Sequence, residues 1–173
     1  MDERYPIGKM EVPEIITSED IQGWLKEIET LPTRLRHTVS SLSDEVLQST
    51  YREGSWTVKQ LVHHIADAQL NLYQRIKLAL TVDTPSISAF DQQKWAILPD
   101  TETPLESSLK MMEGINERIV HLGRDLSEEE LNRGFIHSVD GKVTVAETLL
   151  KCAWHANHHL AHIKIALEKY NSK

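Results

Sequence analysis

The sequence predicts an all-α protein: a four-helix bundle with one long crossover connection and an internal duplication of a helical hairpin, in a single domain over residues 1–173. Three observations carry this prediction. Apolar residues recur at threes and fours through the long stretches of the chain, the period of an amphipathic helix. Several stretches open on a hydroxyl residue followed three positions later by an acid or amide, the signature of a capping box. Finally, Arg34-Leu35-Arg36-His37 leads to Leu42-Ser43-Asp44-Glu45, and Arg118-Ile119-Val120-His121 leads to Leu126-Ser127-Glu128-Glu129, an offset of 84 throughout.

Residues 1–16 read as irregular, because Pro6, Gly8 and Pro13 interrupt any helix. Thr17 and Asp20 open the first long helix, whose apolar stripe is Ile21, Trp24, Leu25, Ile28, Leu31, Leu35, Val39 and Leu42. Pro32 predicts a kink or break within it. A short turn at Leu42–Glu45 and a loop with Gly54 follow. Thr57 and Gln60 then cap the second long helix, striped by Leu61, Ile65, Ala68, Leu72, Ile76 and Leu80. His64 borders that stripe; His63 is turned about 100° from it. Asp67, Asn71 and Arg75 follow as a polar seam.

Thr81–Pro104 is weakly patterned and reads as the crossover connection. Phe90, Asp91 and Trp95 in it suit either surface packing or the wall of a pocket. Thr103-Pro104 starts the third long helix, with Leu105, Leu109, Met112, Ile115, Ile119 and Leu122 as its stripe. Ser127–Glu130 is a further capping box. Asp140-Gly141 signals a turn between two short strands in Phe135–Val145. Thr144 and Glu147 open the last helix. Each half of the repeat thus passes through a loop to Thr-Val and a helix bearing histidine, which makes the second and fourth long helices equivalents.

Composition narrows the functional classes. A chain of 173 residues can bury a real core. It has no run of apolar residues long enough to span a membrane, and Met1–Pro6 lacks the pattern of a secretion signal. The single cysteine, Cys152, excludes an internal disulfide and fits a reducing, cytoplasmic setting. A net charge of −7 argues against nucleic acid as partner.

Chemistry concentrates in Trp154–His162. His155, His158, His159 and His162, four of nine histidines, fall there. His155 pairs with His159 and His158 with His162 at a spacing of four, which places two imidazoles on one helical face. Counted from the aligned threonines, His64, His155 and His159 share one sector about 80° wide. His158 and His162 fall close to it, so phase leaves both pairs open. His37, His121 and His137 read as surface or structural, and Cys152 as a small core residue rather than a soft ligand.

Gly54–Asp67, with its His63-His64-Ile65-Ala66-Asp67, and the Trp154–His162 stretch resemble the DinB-like metalloproteins. Within them they are most similar to the YfiT branch, which includes bacillithiol transferases and proteins long labelled metal-dependent hydrolases. Tyr5–Gly8, Thr84-Pro85 and Arg133–Phe135 extend the resemblance over nearly the whole chain. It implies a divalent metal, zinc or nickel, held by His64, His155 and His159, in a homodimer. Asn157 departs from the pattern at a position outside that ligand set.

Three neutral imidazoles with an open coordination position describe a catalytic rather than a closed site. Such a position admits a small-molecule thiol, giving an S-transferase acting on electrophiles, or water, giving a hydrolase of small esters or amides. The resemblance favours the transferase. A bundle that binds metal without turnover is the third reading. Asp67, one turn after His64, is expected as general base or as hydrogen-bond partner to a ligand. Arg75 suits a solvated helix face, or a substrate carboxylate.

Overall fold

The computed structural model describes residues 2–172. Its elements are α1 (Ser18–Val39), α2 (Asp44–Leu47), α3 (Val58–Thr81), β1 (Ser86–Ile87), α4 (Gln92–Trp95), a 3₁₀ turn (Pro99–Glu102), α5 (Leu105–Arg124), α6 (Glu128–Asn132), β2 (Gly134–His137), β3 (Gly141–Thr144) and α7 (Val145–Asn171). The capping boxes at Thr17, Thr57, Ser127 and Thr144 all form, each hydroxyl accepting from the backbone three residues on. Each satisfies amide groups that a helix start leaves without partners.

The long helices α1, α3, α5 and α7 make the bundle. α1 packs on α5 and α7, and α3 packs on the same two. The members of each repeat unit, α1 with α3 and α5 with α7, therefore face each other across the diagonals. A tight helical hairpin turns in a few residues. Here residues 40–57 and 125–144 each carry a short capped helix and can cross the end of the bundle. The consequence for function is that α3 and α7, the two helices bearing the histidines of interest, are direct neighbours.

The core has two apolar groups. One includes Ile28, Leu72, Ile119, Leu149 and Cys152; the other includes Leu35, Leu61, Met112, Leu160 and Ile163. Between them in sequence lie Gln69 and Asn116, both fully enclosed. Gln69 Nε2 donates to Asn116 Oδ1 (3.2 Å), and Asn116 Nδ2 donates to the Ile28 carbonyl (2.9 Å).

That last bond corrects the expectation of a break at Pro32. α1 runs through Pro32 without interruption. Proline lacks the N–H that would have bonded the carbonyl four residues earlier, that of Ile28. Asn116 supplies the missing donor from the neighbouring helix.

The crossover segment is also more structured than its weak pattern implies. β1 pairs in parallel with β2, which pairs antiparallel with β3, in the order β1-β2-β3. The two strands expected around Asp140-Gly141 are β2 and β3, and Gly141 takes the turn at φ 74°. β1 has only two residues, too few for an alternating pattern to show. Gln60 Nε2 holds α4 to α3 by donating to the Ala96 carbonyl (3.0 Å). The third long helix starts at Leu105, with Pro104 in the capping position just before it. No described helix is long and apolar enough to cross a membrane.

Candidate metal centre

α3 contributes His64, and one turn-and-a-bit of α7 contributes His155 and His159. The three present ligand atoms within 4.8 Å of one another. His64 Nε2 and His155 Nε2 stand 3.1 Å apart. For comparison, two nitrogens on one tetrahedral zinc, at Zn–N about 2.0–2.1 Å, are separated by about 3.3 Å. The rings meet edge to face, His64 with His159 at 4.7 Å and His155 with His159 at 4.5 Å between centroids. Trp56 leans on His64 at 4.5 Å and closes one side.

Electrostatics keeps these rings neutral. Burial pushes His64 down to about 4. His155 and His159 lie well below the ordinary imidazole range, first because of burial and then because the neighbouring rings disfavour added charge. A neutral ring keeps a lone pair. At 3.1 Å one neutral ring can donate its N–H to the lone pair of the other, and with the alternative tautomer both turn a lone pair to the same point, so the donor set fits a bound cation.

A second trio, His158, His159 and His162, also brings its ligand atoms within 4.8 Å. It shares His159 with the first, and hydrogen bonding separates their roles. His162 Nε2 lies 3.0 Å from the Glu3 carbonyl, which can only accept, so this nitrogen carries the proton. Neutral His162 then has its lone pair on Nδ1, 3.2 Å from His159 Nδ1. His159 Nδ1–H must be the donor, which leaves the lone pair of His159 on Nε2. His162 thereby orients His159 instead of competing with it. Tyr51 stacks on His162 at 4.0 Å and 17°, and Trp154 on His158 at 4.5 Å and 19°. The second trio is walled by aromatic rings and the N-terminal segment.

The first trio opens onto a cavity of about 290 Å³, lined by His64 and His155 together with Asn71, Arg75, Phe90, His137 and Lys151 among others. Several expectations need adjustment here. Asp67 does not line this cavity. It follows His63 by one turn, on the face turned to Ser108 and Thr103, whose side-chain and backbone oxygens lie 2.7 and 3.2 Å from the His63 ring nitrogens. Burial and the Asp100 carboxylate push Asp67 up to about 6. Among the described residues, its carboxylate has no hydrogen bond to His64, His155 or His159. The seam drawn through Asp67, Asn71 and Arg75 therefore splits, with only the last two reaching the cavity.

Arg75 is buried, at 7% exposure, where a solvated helix face was the plainer expectation. Of the crossover residues, Phe90 lines the cavity and packs on Trp95 at 4.8 Å, while Asp91 caps α4. Cys152 is fully enclosed in the core and burial raises its thiol to about 12, so it stays outside the ring cluster. Asn157 bridges α7 to α1, accepting from Arg34 (2.7 Å) and donating to Glu27 (3.0 Å). His37 and His121 are exposed. His137 is buried at the cavity wall, and sequence gave it no role beyond a surface or structural one. Its signal was its place three residues before the Asp140-Gly141 turn, which aims it back under the hairpin.

Comparison with known proteins agrees with this architecture. The family model of the DinB superfamily matches residues 27–163. A protein of Oceanobacillus iheyensis, named as a candidate metal-dependent hydrolase, is 63% identical over 96% of both chains. One of Halalkalibacterium halodurans with the same designation is 44% identical over 96% of this chain and 98% of its own. Among solved structures, YfiT from Bacillus subtilis, described as a metal-dependent hydrolase by inference and as a four-helix bundle of unusual topology, superposes with a TM-score of 0.94 at 35% identity over 99% of both chains. A mycothiol-dependent maleylpyruvate isomerase shares the fold, with a TM-score of 0.61 at 18% identity over 83% of this chain and 63% of its own. The helical bundle is thus that of a known lineage, and the chain belongs to the DinB superfamily.

Proposed function

We infer that the protein is a metal-dependent enzyme whose His64, His155 and His159 hold one divalent ion, zinc or nickel, and that it transfers a small thiol to electrophilic substrates. The observation that carries this reading is the convergence of three neutral imidazoles, of which His64 and His155 line a cavity and bring their Nε2 atoms 3.1 Å apart. Bound there, the ion would supply a Lewis acid with a vacant position that favours the deprotonated form of an incoming thiol or water.

The residues of the chain do the remaining work. His64, His155 and His159 are kept unprotonated by burial, so binding near neutral pH releases few protons from them. His162, fixed by the Glu3 carbonyl, holds the His159 ring with Nε2 available. Trp56 packs on the His64 ring and Phe90 lines the cavity, giving it apolar walls. Among the described residues no carboxylate joins the three rings, and Asp67 is influenced by the Asp100 carboxylate instead. This favours chemistry in which the nucleophile is made by coordination alone. A thiol, with its lower ordinary pKa, needs less help than water in reaching its anion.

The hydrolase reading is kept because close relatives carry that designation. One experiment divides the two. Protein loaded with zinc or nickel is given a low-molecular-weight thiol with a chlorobimane-type electrophile, and separately a panel of small esters and amides. Thiol conjugation without ester cleavage supports the transferase. Cleavage without conjugation supports the hydrolase, and no turnover in either assay leaves a metal-binding bundle.

A further inference from the structure

Behind the ring cluster, the same cavity is lined by two donors without a hydrogen-bond partner among the described residues, the guanidinium of Arg75 and the enclosed Nε2 of His137. Arg75 is 7% exposed and His137 6%. Arg75 makes no hydrogen bond or ion pair with any described side chain or backbone oxygen, although its guanidinium offers five N–H groups. His137 Nδ1 accepts from the Asp140 backbone N–H at 3.2 Å. The neutral ring therefore carries its proton on Nε2, and that atom is buried without a partner. Leaving the enclosed Nε2–H of His137 unpaired is costly, and the Arg75 guanidinium faces the cavity with its donors free.

Their charge environment selects the acceptor. Of the charged side chains at the wall, Lys151 pairs with Asp140 at 3.0 Å, which cancels both. Arg75 is left as one net positive charge in a chain whose net charge is −7. One uncompensated cation with a planar fork, beside one imidazole N–H, matches a planar monoanion.

We propose that Arg75 and His137 form a carboxylate-binding subsite, so that the molecule occupying this cavity carries a carboxylate at the end remote from the three-histidine cluster. The cavity volume of about 290 Å³ fits one small molecule or the carboxylate-bearing end of a larger one. As a statement about substrate, this rests on the reading of the ring cluster as the reactive centre. As a binding site, it stands on Arg75 and His137 alone.

The test uses the full chain without metal, so that it does not depend on the cluster. Propionate, propionamide and inorganic phosphate are titrated separately while the side-chain NMR signals of Arg75 Nε–H and the His137 ring are followed. Propionate should shift both signals saturably, propionamide should not, and phosphate should bind at least tenfold more weakly. Arg75→Gln should weaken propionate at least tenfold, with Arg75→Lys intermediate because it keeps charge but not the fork. If either variant fails to fold, the wild-type titrations decide alone. No saturable shift with propionate, an equal response to propionamide, or tighter binding of phosphate would each overturn the subsite. Metal binding, measured on the same preparation, can fail or succeed independently.

Discussion

Nδ1 of His162 lies 3.2 Å from Nδ1 of His159, with the far side of His162 fixed 3.0 Å from the Glu3 carbonyl. This short chain of bonds sets the tautomer of His159 from outside the cluster. It ties the N-terminal segment, through a ring outside the proposed ligand set, to the atom proposed to bind the ion. Replacing His162 by Ala should therefore weaken metal affinity about 10–100-fold without abolishing binding. Competition against a chelator of known affinity measures this. An unchanged affinity would mean that His159 needs no such support.

The cluster also makes a prediction about acid. His64 is held near 4 in the folded protein, against about 6.5 when unfolded. Below about pH 6.5 the unfolded chain takes up a proton that the folded one refuses, so metal-free protein loses stability as pH falls from there towards 4. His64 alone should cost about 3 kcal/mol across that window. His155 and His159 shift in the same direction. Denaturant melts of chelated protein at pH 7 and pH 5 should differ accordingly, with the alkaline side flat. A metal-free protein equally stable at both values would contradict the buried, neutral state of the rings.

A third prediction concerns the bundle. Asn116 donates to the carbonyl that Pro32 leaves without a partner, and 116 lies 84 residues beyond 32, the offset of the sequence repeat. The repair thus comes from the residue at the equivalent position in the other half. Asn116→Leu should destabilise the protein by about 1–3 kcal/mol, by orphaning the Ile28 carbonyl. In a Pro32→Ala background the new N–H can take over, and the same substitution should cost less. A double-mutant cycle by chemical denaturation measures the difference; strict additivity would count against the compensation.

Cys152 gives a fourth. Its thiol is enclosed and pushed up to about 12. Cys152→Ala should leave metal stoichiometry unchanged, and the wild-type thiol should resist alkylation in native protein at pH 8 while reacting fully in denaturant. Rapid native labelling would place the thiol nearer the cavity than the core packing allows.

What was legible in the sequence followed from periodicity and local chemistry. The four long helices, the capping hydroxyls of three of them and the β2–β3 turn are written in residues a few positions apart, and they form as expected. The histidine phase brought His64, His155 and His159 into one sector but could not choose between overlapping pairs. The choice proposed above rests on His162 reaching the Glu3 carbonyl, a contact across 159 residues of chain. The continuity of α1 through Pro32 depends likewise on Asn116 from another helix. Arg75 looked like a surface residue because its burial comes from the crossover segment and the β2–β3 hairpin folding over it. Asp67 looked close to His64 in sequence, yet the helical turn carries it to the His63 face. In each case the missing information was tertiary.

The central claim is tested most directly by metal content. Protein purified, stripped and reloaded with zinc or nickel, then freed of loose ions, should hold one ion per chain by elemental analysis. His64→Ala, His155→Ala and His159→Ala should each lose it, whereas His158→Ala should retain it. Retention by the first three variants, or loss confined to His158→Ala and His162→Ala, would place the ion elsewhere and contradict the assignment.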